Sequence, residues 1–202
     1  MTRWVSRFSG AQRGIAAVEA ALLIPLMAFT IVGFIELYQY HRAAAALDRT
    51  AFTLANGLSI QRDLYDRSDC SRTTNVCTYH AIATDLMQPL DYDRHGQVIF
   101  SVYAATEPTK NNRVEWESNP EWRRAYRGGK LSSSIPLAAS RAQLRDFPPP
   151  NRGDTILVVE MFYDHEPFVM SAAFWDMLGG ERRLYSRVFF RPRFSDIREL
   201  GL

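Results

Sequence analysis

The sequence predicts an α+β protein: a long N-terminal transmembrane and stem helix, then a small, mostly antiparallel β-sheet domain with short covering helices and one disulfide loop. Three observations predict it. An uncharged apolar run from Ala20 to Ile35 leads into a stripe of Leu37, Tyr40, Ala44, Leu47, Ala51, Leu54 and Leu58, spaced alternately three and four apart as on one face of a helix. Segments near Gln97, Thr155 and Leu184 carry strand patterning. Cys70 and Cys77, the only cysteines, stand in a polar stretch between the two regions. At 202 residues with 47% apolar content the chain has enough material for a core, which excludes a disordered or collagen-like polymer.

The first fourteen residues carry Arg3, Arg7 and Arg13 and no acid. The whole chain has 24 basic and 22 acidic side chains, net +2; without these three arginines 21 face 22, net −1. Elsewhere basic and acidic residues interleave, without the basic stripe of a nucleic-acid-binding surface, so no nucleic-acid partner is expected. From Ile15 to Tyr40 a helix would be about 39 Å long, enough for the about 30 Å hydrocarbon layer. The basic flank places the N-terminus in the cytoplasm and everything after Tyr40 outside it. A secretory signal peptide with a cleavage site in Ala43-Ala44-Ala45-Ala46 is the alternative. Against it, Glu36 interrupts the approach to the alanines and the helical stripe runs straight through them.

Glu19 opens the apolar run, and an ionised carboxylate at membrane depth costs about 3 kcal/mol on insertion scales. Cleavage after Gly14 would give Ile15 a free amine four residues before Glu19, able to neutralise that carboxylate on a neighbouring subunit. Pro25 removes one backbone hydrogen bond from the helix and, with Gly33, makes it locally bendable.

The stretch Gly14-Ile15-Ala16-Ala17-Val18-Glu19-Ala20-Ala21-Leu22-Leu23-Ile24-Pro25 resembles the start of TadE/TadF-type minor pseudopilins of the tight-adherence (Flp, type IVc) pilus system. Gly153 to Glu160, with Tyr163 and Pro167, resembles that family's penultimate strand, and Arg187 to Arg193 its closing segment; Ala20 stands where the family commonly has Phe or Tyr. The resemblance implies a leader (1–14) cut by a prepilin peptidase between Gly14 and Ile15, a transmembrane helix (15–40), an amphipathic stem (41–60) and an exported pilin-like domain (61–202). It implies pilin packing through Glu19 and Pro25, with other pilins or pseudopilins and the inner-membrane assembly platform as partners. The expected location is the inner membrane, single-pass, with the C-terminal domain periplasmic or carried into an extracellular pilus.

In the exported part, Cys70 and Cys77 read as a disulfide closing an eight-residue loop, worth about 2.5 kcal/mol in the chain-entropy account. A metal site is the rival, but two thiols with His80 fall short of four ligands, so no metal or cofactor is expected. Tyr79 to Leu90 has the spacing of a short amphipathic helix stopped near Pro89. Gln97 to Ala105, Thr155 to Tyr163 and Leu184 to Arg191 read as strands, the second central and buried on both faces. Asn112 to Tyr126, with Trp116, Trp122, Arg123 and Tyr126, and Phe168 to Leu178 read as helices covering the sheet; a contact surface for a pilin or adhesion target is the alternative. Ser132 to Pro150 reads as a long surface loop.

No catalytic constellation stands out. Asp91 to Gly96 resembles half a calcium loop, but its twelfth position is Val102 where a bidentate Glu is needed. Asp164-His165-Glu166 reads as an ordinary loop after a strand, and the sequence has no P-loop, nucleophile elbow or H-E-x-x-H. The expectation is therefore a non-enzymatic assembly protein, with a membrane-anchored or secreted binding domain bearing aromatic recognition loops as the rival.

Overall fold

A computed structural model describes residues 5–107, 114–126, 133–136, 146–167, 183–194 and 196–201, with side chains from Ala16 onward. The first element is one continuous helix, α1 (Val5–Ser59), 55 residues and so about 82 Å long. It starts ten residues before the expected Ile15, and it passes through Pro25 without interruption. A short strand β1 (Leu64–Tyr65), helix α2 (Val76–Leu86) and a single helical turn α3 (Tyr92–His95) follow. Strands β2 (Gly96–Ala104), β3 (Trp122–Tyr126), β4 (Thr155–Asp164), β5 (Arg183–Phe190) and β6 (Leu200–Gly201) complete the order.

Four strands form an antiparallel sheet in the order β3-β2-β4-β5, and β1 pairs with β6 in parallel as a separate two-stranded ribbon. This is the expected α+β arrangement with two corrections. The segment expected to cover the sheet as a helix instead supplies edge strand β3, in which Trp122, Arg124 and Tyr126 alternate with Arg123 and Ala125. Moreover β2 shares the centre with β4: every residue of β2 is buried, because β3 and β4 pair with its two edges and both its faces are covered.

The two faces follow from the register. Val98, Phe100 and Val102 of β2 lie beside Met161, Val159 and Leu157 of β4. This face meets helices: Tyr79 of α2 lies edge-on to Phe100, and Phe52 of α1 lies edge-on to Phe190 of β5. Gly57 allows α1 and α2 to approach, since a Cβ there would lie 3.0 Å from the Tyr79 ring, whose hydroxyl donates to the Gly57 carbonyl at 3.1 Å. The other face, with Tyr103, Ile156 and Val158, is covered by Trp116, Ile135 and Phe147 from the connections.

Helix α1 divides at Arg42, where residues 42 onward join the sheet in one compact unit. The stem stripe is real but turned slightly upstream. Leu47, Ala51, Leu54 and Leu58 are buried as expected, whereas Ala43 rather than Ala44 continues the buried row and Leu37 is 44% exposed. α2 begins three residues before the expected Tyr79 and ends at Leu86, ahead of Pro89. The Asp91 to Gly96 segment is α3, capped by the Asp91 carboxylate accepting from the Arg94 N–H at 3.2 Å. Val102, the would-be twelfth calcium position, is fully buried in β2.

Candidate functional site

The apolar half of α1 is the most distinctive surface. Twelve large apolar side chains between Val18 and Tyr38 are 44% to 72% exposed, while Val32 is half-buried beside the buried Glu36. A soluble core helix would bury such residues, and the helix is long and apolar enough to cross a membrane. Glu19 lies exposed within this half, and no contact to it is made among the described residues. Glu36, at the other end of the uncharged run, is by contrast buried, 1% exposed. Thr30 returns its hydroxyl to the Leu26 carbonyl at 2.8 Å, which satisfies that polar group within the helix itself. Gly14 and Ile15 lie in the helical backbone of the uncleaved chain.

The disulfide between Cys70 and Cys77 is present, with Cα atoms 5.2 Å apart. It ties the turn after β1 to the first turn of α2, where Asn75 donates its side-chain amide to the Asp69 carbonyl and Thr78 donates to the Arg72 carbonyl at 2.6 Å. Among the described residues no group of three or more His, Cys, Asp or Glu is placed to hold a metal.

The aromatic segment is turned inward. Trp116 and Trp122 are 6% and 7% exposed, and their indole N–H groups donate to the Pro148 carbonyl at 2.7 Å and the Ile197 carbonyl at 2.8 Å. Arg123 donates to Ser101 Oγ at 2.9 Å and the Tyr103 hydroxyl at 2.7 Å. Tyr126 donates to Asp66 Oδ1 at 2.8 Å, and Arg124 pairs with the same carboxylate. The contact-surface reading of these residues is thus corrected for the two tryptophans, which brace the chain's own connections. Phe168 to Leu178 lies outside the described residues.

Asp66 fastens the ribbon strand β1 to edge strand β3. Partial burial pushes its pKa up, but hydrogen bonds from Arg124 and Tyr126 and the Arg124 charge outweigh this and hold the carboxyl below its usual value. Burial, with the hydrogen bond to Asp66, pushes the Tyr126 phenol well up, so it stays a donor.

One polar group escaped the reading of the sequence. Glu160, in the middle of β4, has no exposure at all. Its carboxylate accepts from Ser133 Oγ, from the Ser134 amide at 3.1 Å, from Ser134 Oγ and from the Tyr185 hydroxyl at 2.9 Å. Arg187 stands directly opposite in the register, yet its guanidinium goes to Asp146 at 3.3 Å. Four hydroxyl and amide donors therefore meet the carboxylate, and they clamp the Ser133 to Ile135 segment onto the sheet beside Tyr103 and Ile156. The signal was present as a single acid inside Ile156-Leu157-Val158-Val159-Glu160-Met161-Phe162-Tyr163, a run that reads as buried on both faces. The serines that answer it lie more than twenty residues away with no periodicity of their own.

Comparisons with protein families, with curated proteins and with solved structures find no match.

Proposed function

We propose that this chain is a minor pseudopilin of the TadE/TadF type, anchored in the inner membrane by α1 and taking part, without enzymatic activity, in priming, capping or regulating a tight-adherence pilus. The observation that carries the reading is the two-part helix: one unbroken α1, with exposed apolar side chains from Val18 to Tyr38, and with one face buried in the domain from Ala43 to Leu58. A helix that is both membrane span and domain spine can be drawn from lipid into a helical filament without unfolding the domain. In this reading prepilin peptidase cuts after Gly14, and the Ile15 amine of one subunit neutralises Glu19 of another as helices stagger. Pro25 supplies local give in the span. Other pilins or pseudopilins and the assembly platform are the partners.

The same observation weighs against a signal peptide cut among Ala43 to Ala46, because the helix is continuous there and both Ala43 and Leu47 are buried. The inward indoles weigh against a recognition surface built on Trp116 and Trp122.

The test is the N-terminal residue of the membrane-bound protein, by mass spectrometry, in cells with and without prepilin peptidase. The expected outcome is Ile15 when the peptidase is present and Met1 when it is absent. Met1 in both would leave a fixed anchor, and a start at Ala46 or Leu47 would establish a signal peptide.

A further inference from the structure

Among the described arginines, Arg42 and Arg49 are the two whose side chains make no hydrogen bond, ion pair or ring contact. The others are committed elsewhere: Arg124 to Asp66, Arg183 to Asp164, Arg191 to Asp154 and Arg193 to Asn56, for example. Both uncommitted arginines border the same cleft. It has a volume of about 450 Å³ and is lined on the stem by Arg42, Ala45, Ala46 and Arg49, and across from it by Leu86 and Gln88. No acid lines it. The two alanines leave room between the guanidinium groups, and seven residues of helix bring Arg42 and Arg49 to one face about 10 Å apart along the axis. Helical side chains lean toward the N-terminus, so both heads tilt toward the apolar half of α1. Arg42 comes four residues, one helical turn, after Tyr38, the last large apolar side chain exposed in that half. Leu86, 45% exposed, adds an apolar rim.

We propose that this cleft binds the phosphate headgroup of an anionic membrane phospholipid, held by Arg42 and Arg49 with Leu86 against the lipid's glycerol end. The chemistry fits: two guanidinium groups without intramolecular acceptors match the phosphate diester of a lipid that carries a net negative charge. The proposal rests on α1 being the membrane span. Lipid held there would fix the depth and rotation of the helix at the bilayer surface, and would have to be released for the helix to leave the membrane.

The test uses the full chain, delipidated in an uncharged detergent and offered equal amounts of phosphatidylglycerol and phosphatidylcholine, with retained lipid counted by native mass spectrometry. Phosphatidylglycerol should be retained about twenty-five-fold over phosphatidylcholine, from two arginines at about five-fold each. Arg42→Gln/Arg49→Gln should bring it to the phosphatidylcholine level, while Arg72→Gln, whose partner Asp69 lies in the disulfide loop, leaves the preference intact. Neither arginine braces the fold, so an unchanged urea midpoint accompanies the double variant. An unaltered preference in that variant overturns the site. Displacement of the lipid by millimolar glycerol 1-phosphate overturns the lipid assignment in favour of a soluble phosphate ligand. Release of the chain from membranes by alkaline carbonate would overturn the span, a failure separable from loss of lipid selectivity in detergent.

Discussion

The apolar half of α1 and strand β4 each carry an acid within a hydrophobic run, Glu19 and Glu160, and the protein treats these two oppositely. Glu160 in β4 is fully buried and met by Ser133, Ser134 and Tyr185 of its own chain. Glu19 in α1 is exposed among apolar side chains and finds no partner among the described residues. An acid whose acceptor capacity is filled internally serves the fold. An acid left open on a membrane-length apolar helix carries an insertion cost of about 3 kcal/mol, which under the proposed function a neighbouring subunit would offset. The difference is what directs the assembly reading to α1 rather than to the domain.

Removing either acid separates the two roles. The largest effect is expected for Glu160→Ala, which removes the buried acceptor shared by the Tyr185 hydroxyl, two serine hydroxyls and one amide. Unfolding of the detergent-solubilised protein in urea should show a loss of about 3 kcal/mol, and the long connection after β3 should become protease-sensitive. A loss below about 1 kcal/mol would mean that the clamp is not a structural necessity.

Asp66 stands between the extremes, paired within the chain but partly open to water, with a side-chain exposure of 26%. Because its folded pKa lies below the ordinary value of 3.8, its stabilisation is complete above the unfolded pKa and disappears as pH falls through the folded one. Solvent screening keeps the effect below about 1 kcal/mol. Wild type and Asp66→Asn should therefore differ in melting temperature at pH 6 and converge as the pH approaches 2. A difference that persists at low pH would place the effect in packing rather than charge.

The smallest effect on stability, and the most informative, is expected for Glu19→Ala. Insertion and the urea midpoint should match wild type, while co-purification with other pilins from the membrane falls. Undiminished co-purification would remove the amine–carboxylate pairing.

Much of this organisation is legible without coordinates. The uncharged run, the stripe at Leu47, Ala51, Leu54 and Leu58, the closely spaced cysteines, and strands β2, β4 and β5 are all local patterns, in which the periodicity that reveals an element also buries it. Strand β3 was missed because an edge strand of Trp122-Arg123-Arg124-Ala125-Tyr126 is stabilised by partners distant in sequence: Ile197 for the indole, Asp66 for Arg124 and Tyr126, Tyr103 for Arg123.

The sequence by itself determined that a membrane-length helix continues into the spine of an α+β domain and that a disulfide closes the loop beyond it, since these depend on composition and on residues a few places apart. Only the tertiary structure decided that Trp116 and Trp122 face inward, that Glu160 is satisfied within the chain, and that two uncommitted arginines share a cleft with Leu86. The first two outcomes are pairings across tens of residues, selected by whether a buried polar group finds its donor or acceptor once the sheet has closed, and the third is a packing of α2 beside α1; no local pattern encodes these matches.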